Sequence, residues 1–404
     1  MVLKSEIEKA YHLQQLAIKS KDKTVSRHYL QKINPTSQLI EVISGIRRCG
    51  KSTLMKQIVK KHYKNVGYFN FEDSRIYGFE VSDFPKLEDI IGLHKEAYFF
   101  DEIQNVPQWE LFIRQLHDKG KKIFITGSNA SLLSKELGTR LTGRHLRHEL
   151  FPFSYQEYLS FKNERKGAQS LETFIEQGGF PEFIRDENNE VLQTLLKDIV
   201  LRDIAVRYGI KNTRVLMDIT HFLISNIGKE VSYNNLKKSF SIGSATTVSD
   251  YLSWLEDSYL LFFLKKFSWS AKNSALNARK VYAIDTGMVN CNSLSFTKDK
   301  GRLLENAVYL FLNQHFESLF FFREKGECDF VVFEKNKCRH LIQVCEDVNG
   351  DSKNREVNGL IEAMDFFDKK EGLIITKNQE DVLTFDKKKI TLIPAYKFMT
   401  ELKT

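Results

Sequence analysis

The sequence predicts an α/β protein built on a parallel sheet with helices on both faces. Three observations predict it. Along the first third of the chain, short apolar runs alternate with longer helical periodicities, the signature of strand–helix–strand units. One run, residues 39–44, ends in the glycine-rich turn Gly45-Ile46-Arg47-Arg48-Cys49-Gly50-Lys51-Ser52 and is followed by an amphipathic helix. Another, Tyr98-Phe99-Phe100, ends in the acid pair Asp101-Glu102.

With 404 residues the chain exceeds one typical core, so two or three domains are expected. Its 42% hydrophobic and 28% charged residues describe a globular protein. Only 6 prolines occur and no tract is of low complexity, which argues against long linkers. The formal net charge of +8 suits a polyanionic partner and suits simple solubility equally well. Cys49, Cys291, Cys328, Cys338 and Cys345 form no CxxC pair and are odd in number, which points to a reduced, cytoplasmic setting. The opening residues lack the apolar core of a signal peptide. No apolar run approaches the ~20 residues that span a bilayer, so no membrane partner is expected.

In chain order, residues 1–35 read as an N-terminal helical segment. Residues 36–155 form the α/β core, with strands over 39–44, 66–71, 98–100 and 122–126 and a helix over 52–63. Residues 156–211 are mostly helical, broken at Gln177-Gly178-Gly179-Phe180-Pro181. Residues 212–290 hold two short helices across the turn Ser241-Ile242-Gly243, then strands. Residues 291–404 alternate strands and helices again.

The turn after the first strand fits GxxxxGK[ST] in full. Its glycines let the backbone curl so that several N–H groups face one phosphate. Lys51 reaches the outer phosphates, and the Ser52 hydroxyl is a Mg²⁺ ligand. The cradle of an ATP site is therefore Gly45, Ile46, Arg47, Arg48, Cys49, Gly50, Lys51, Ser52 and Thr53. Asp101 is the second Mg²⁺ ligand, and Glu102 is placed to take a proton from the attacking water. The second acid favours hydrolysis over phosphoryl transfer to another acceptor. At the tip of the next strand, Asn129 either bonds the γ-phosphate or the water, or fills a tight turn. Arg140 and Arg144 are four apart. Either neutralises γ-phosphate charge, across a subunit boundary if the chain assembles with itself, or both belong to a solvated basic turn. His145 and His148 are read as a solvated turn and not as metal ligands.

These motifs, with Asn70-Phe71-Glu72-Asp73, Asp101-Glu102-Ile103-Gln104, Leu141-Thr142-Gly143-Arg144, Phe151-Pro152-Phe153-Ser154-Tyr155-Gln156-Glu157-Tyr158 and Gly178-Gly179-Phe180-Pro181, resemble a prokaryotic family of AAA-type P-loop ATPases. Later matches are Ile284-Asp285-Thr286-Gly287, Leu304-Glu305-Asn306 and Phe322-Arg323-Glu324 through Asp329-Phe330-Val331. The resemblance covers almost the whole chain. It implies Mg·ATP binding with hydrolysis, a helical lid over 156–211 and a winged-helix-like segment over 212–290. It also implies a C-terminal restriction-endonuclease-like (PD-(D/E)XK) domain over 291–404.

Nucleases of that type set an Asp on one strand against acid-x-Lys on the next. Here Asp329 faces Gln343-Val344-Cys345, and Glu305 adds a second acid at best. Nuclease activity is expected to be lost. The segment over 244–257 has recognition-helix spacing but carries Asp250, Glu256 and Asp257, while Lys237, Lys238, Lys265 and Lys266 lie beside it. The resulting expectation is an ATP-driven switch or motor acting on DNA. The alternatives are a slow-turnover scaffold for protein partners and an ATP-gated nuclease.

Overall fold

Four runs of β-branched and aromatic residues, each bounded by turn chemistry, become neighbours in one sheet. They belong to a computed structural model that describes residues 1–18, 24–128, 141, 143–295, 297 and 299–401. The strands are β1 (Ile40–Ser44), β2 (Val66–Asn70), β3 (Ala97–Asp101) and β4 (Ile123–Gly127), joined by the more polar β5 (His145–Glu149). All pairings are parallel and the order is β2-β3-β4-β1-β5. β1, β3 and β4 are buried along their full length, as a sheet covered on both faces requires. The flanking helices include α1 (Lys4–Ile18), α2 (Lys51–His62), α3 (Phe84–Ile91) and α4 (Trp109–Asp118). Phe84 of α3 stacks on Phe112 of α4 at 4.2 Å, inside a core that also holds Phe69, Phe71, Phe100 and Trp109. Truncating such a ring to Ala costs about 3–5 kcal/mol. These elements form one compact unit, residues 1–151 with 257–259.

β5 corrects the reading of His145 and His148 as a solvated turn. Both lie on this edge strand, and His148 is buried, with Nε2 2.5 Å from Glu41 Oε2. The other Glu41 oxygen accepts from Lys122 Nζ at 2.7 Å. Burial works against the Glu41 charge, but His148 and Lys122 outweigh it and hold the carboxyl below its ordinary range.

The second unit comprises residues 152–256 and 260–404. It opens with helices Tyr155–Lys162, Ala168–Gln177, Pro181–Asp186 and Asn189–Asp198, the last running on as a π-helix to Val206. Next come helix Thr213–Ile224, strand β6 (Glu230–Val231), helices Tyr233–Ser239 and Ala245–Asp257, and strands β7 (Leu261–Lys265) and β8 (Arg279–Ala283). The three strands pair in the order β6-β8-β7. A six-stranded sheet follows, in the order β13-β14-β12-β11-β10-β9. Its strands are β9 (Ser318–Arg323), β10 (Glu327–Glu334), β11 (Lys337–Cys345), β12 (Glu371–Thr376), β13 (Asp381–Phe385) and β14 (Lys388–Pro394). Helix Gly350–Phe366 packs on β10, β11 and β12, burying Val357, Leu360, Ala363 and Met364. Among the described residues no helix is long and apolar enough to cross a membrane.

Candidate functional site

Parallel strands end together, so what their C-terminal tips carry is gathered along one edge. β1 ends at Ser44 and the chain turns at once through Gly45, at φ 153°. A Cβ at Gly45 would stand 2.1 Å from the Leu150 carbonyl oxygen, so only glycine fits. Arg48 (φ 64°) and Gly50 (φ 101°) complete a left-handed curl, the backbone form that turns successive amides toward an anion. α2 opens at Lys51 with no acid in its first turn, leaving its positive end unopposed. Ile46 and Cys49 are fully buried, so only their main-chain atoms are available to an anion at this turn.

Behind the loop stands Arg27, itself buried. It donates from Nη1 to the Cys49 carbonyl and from Nη2 to the Phe151 carbonyl, both at 2.6 Å. This strut joins the loop to the segment after β5. Sequence reasoning missed it, because nothing local links residue 27 to residue 49.

Lys51 is buried, with Nζ 3.2 Å from the Gly45 oxygen, 3.3 Å from the Ile46 oxygen and 3.2 Å from Glu102 Oε1. Burial disfavours the ammonium, but the Glu102 carboxylate more than offsets it and the Lys51 pKa lies above its usual value. Glu102 is likewise opposed by burial, then held below the carboxylate range by Lys51 and by a hydrogen bond from the Gln104 amide. Gln104 Nε2 donates to Glu102 Oε2 at 2.5 Å. Glu102 has left-handed backbone, φ 51°, and its N–H donates to Thr126 Oγ1 at 2.9 Å. Asp101 is fully buried and accepts from the hydroxyls of Tyr68 (2.8 Å), Thr126 and Ser52. Burial and the neighbouring Glu102 charge still push its carboxyl upward, the condition of an acid that gains from a cation.

The structure thus brings Lys51, Ser52, Asp101 and Glu102 to one place. A hydroxyl and a carboxylate, both hard oxygen donors, fit Mg²⁺, which needs few protein ligands beside phosphate. Arg47 pairs with Glu72 at 2.8 Å, Arg48 is exposed and Thr53 half-buried. Asn129 and Arg140 lie outside the described residues. Arg144 does not join the site. Its carbonyl accepts from Ile40 N at the opposite end of β1, and its side chain bonds Asp118 at 3.0 Å. The parallel register carries Arg144 to the start of the sheet while the loop leaves from its end.

A second constellation lies in the other unit. Lys280 of β8 is buried, its Nζ 2.5 Å from Glu327, 2.7 Å from Asp329 and 3.0 Å from Glu305. Tyr282 donates to Glu305 at 2.6 Å. Burial opposes the ammonium, but Asp329 and Glu305 hold its pKa well above the usual value, while burial and Asp329 push Glu305 up. Gln343 accepts from the Asp329 N–H and donates to Glu356. Lys280, Glu305, Glu327, Asp329, Gln343 and Glu356 border a cavity of about 990 Å³. Asp329 and Glu305 were legible from the chain. Lys280 was not, since its strand lies 49 residues before Asp329.

Residues 37–159 match the family model described as an AAA domain, and residues 168–299 one described as a domain of unknown function (DUF8612). The glycine loop, the acid pair and the parallel sheet define an AAA-type, nucleotide-binding P-loop module. The chain belongs to one family with the uncharacterized protein MJ1544 of Methanocaldococcus jannaschii, being 38% identical to it over 419 residues, 96% of this chain and 93% of that one. An uncharacterized protein of Haemophilus influenzae is 31% identical over 287 residues, 65% of this chain and 71% of that one. Among solved structures, the Walker-type ATPase PABY2304 of Pyrococcus abyssi is 14% identical at a TM-score of 0.40, covering 72% of this chain and 95% of that one.

Proposed function

We propose that this chain binds and hydrolyses Mg·ATP and uses the cycle as a switch on a macromolecular partner, DNA. The observation that carries the hydrolytic reading is the 3.2 Å pairing of Lys51 with Glu102 beside a left-handed loop of main-chain amides. An ammonium held there passes to the β- and γ-phosphates on nucleotide binding. Glu102, released from its partner, then accepts the proton of the attacking water. Ser52 and Asp101 would hold Mg²⁺, which neutralises charge on the phosphoryl oxygens when bound. Asn129 is assigned to sense the γ-phosphate. Arg140 is assigned to report hydrolysis, and Arg144, lying at the far end of the sheet, serves only a neighbouring copy.

Two substitutions separate this from a slow-turnover scaffold. Lys51→Ala should weaken binding of a fluorescent ATP analogue at least tenfold. Glu102→Gln should leave that binding near wild type and cut phosphate release about 100-fold or more. Unchanged release in Glu102→Gln supports the scaffold.

The DNA reading rests on the order helix, strand, helix, helix, strand, helix, strand over 213–283, the order of a winged helix with one short helix, Ala271–Leu276, inserted between β7 and β8. Helix Ala245–Asp257 has no acid in its first turn, where Thr246 is exposed. Its acids fall later, and exposed Lys238 and Lys265 flank it. The winged helix is thus read as a DNA-contacting element. The C-terminal unit is read as a binding or structural domain of restriction-endonuclease type and not as an active nuclease, because Lys280 sets its ammonium among the acids and Gln343 is neutral.

A further inference from the structure

We infer that Gln104 is a second water-holding residue of the hydrolytic site, its amide oxygen accepting the O–H that Glu102 does not take. The inference rests on the hydrolytic reading above and extends it to a residue outside the loop and the acid pair.

The geometry starts with the short helical turn Ile103–Asn105 directly after Glu102. It folds the Gln104 side chain back onto the carboxylate, with Nε2 2.5 Å from Glu102 Oε2 and 3.5 Å from Ser128 Oγ. This contact fixes which way the amide faces. Turning it over would set Oε1 against a carboxylate oxygen, two acceptors with no proton between them. Oε1 is thus committed to the other direction. There it is buried, and no described group donates to it. A buried amide oxygen without a donor is unfavourable, so the place suits a small donor that arrives with the substrate.

Water is that donor. To attack phosphorus, a water must aim a lone pair at the γ-phosphoryl group while both its protons are held. One bonds Glu102 and the other needs a neutral acceptor that does not compete for it. Gln104 Oε1 is such an acceptor, on a side chain already tied to Glu102. As the water oxygen forms its bond to Pγ, the bond from Pγ to the β–γ bridging oxygen breaks and its electron pair leaves with ADP. The first proton passes to Glu102. The second remains on the new phosphate oxygen, still bonded to Gln104. The donor side of the same amide orients Glu102, alongside the Lys51, Arg47 and Asp101 charges that act on this carboxylate.

Phosphate release and ATP-analogue binding are measured on the full chain for wild type, Gln104→Met, Gln104→Lys and Glu102→Gln, with a melting curve for each. Methionine removes donor and acceptor at nearly constant volume. Lysine still donates to Glu102 but accepts nothing. Both should lower kcat about 10- to 100-fold with nucleotide affinity within about twofold. If Gln104→Lys turns over like wild type, donation alone explains the residue and the inference falls. It falls too if Gln104→Met stays within twofold while Glu102→Gln is inactive. If Gln104→Met does not melt cooperatively, Gln104→Lys decides alone. Equal turnover in wild type and Glu102→Gln overturns the hydrolytic reading itself, and this inference with it.

Discussion

Lys280 shows how one residue fixes the meaning of several others. Three carboxylates, those of Glu305, Glu327 and Asp329, converge on its ammonium within 3.0 Å in a buried site. Taking such charges out of water is costly, and only their mutual attraction offsets it. Removal of the cation alone leaves the acids facing one another. Lys280→Met should therefore cost about 3–5 kcal/mol of unfolding free energy, read as a lower urea midpoint at an unchanged m-value. Adding Asp329→Asn to that background should recover part of the loss, since it removes one uncompensated charge. A double mutant as unstable as the single one would mean that packing, not charge, holds the cluster together.

At the scale of elements, α1 closes the sheet edge that β2 would otherwise expose. Gln14 of α1 accepts from Asn70 N at 2.8 Å and donates to Asn70 O at 3.2 Å, and it also donates to Asp73 at 2.8 Å. Asp73 starts the short helix Ser74–Ile76 and bonds Arg75. That side-chain bond to Arg75, partly opposed by burial, depresses the Asp73 carboxyl to about 2. A depressed folded value means stability present above the unfolded pKa near 4 and lost as pH falls toward 2. The gap in stability between wild type and Asp73→Asn should be about 1–2 kcal/mol at pH 6, discounted because Arg75 is partly in solvent, and should close between pH 4 and 2. A gap that stays constant over that range would rule out the carboxylate charge as its source. Legibility follows the same division between local and distant. The strands, the glycine loop and the Asp101-Glu102 tip were readable because each is written in adjacent residues. β5 was not, since an edge strand with one wet face carries polar residues such as His145 and Arg147 and lacks an apolar run. Its burial of His148 depends on Glu41, 107 residues earlier. Arg27 and Lys280 escaped for the same reason, whereas Gln104 stood two residues from Glu102 and needed only the backbone turn to show where it points.

For the whole molecule, the switch reading is a statement about linkage between two ligands. If Mg·ATP changes the affinity for DNA by some factor, DNA must change the affinity for Mg·ATP by the same factor. That equality holds whatever path connects the two units, so it tests coupling without assuming a mechanism. The net charge of +8 and the lysines beside helix Ala245–Asp257 predict a phosphate-dominated contact. If about four phosphates are neutralised, log K should fall against log salt with a slope of about −3.6. Replacing Lys237 and Lys238 by Ala should flatten that slope by about two units for a duplex of any sequence. In wild type, Mg·ATP should shift the DNA affinity about fivefold or more, and a titration of nucleotide at saturating DNA should return the same factor. Lys51→Ala should erase the nucleotide effect and keep the salt slope, because Lys237 and Lys238 lie far along the chain from the glycine loop that holds Lys51. An affinity indifferent to both salt and nucleotide would remove DNA as the partner and leave the protein-binding scaffold in its place.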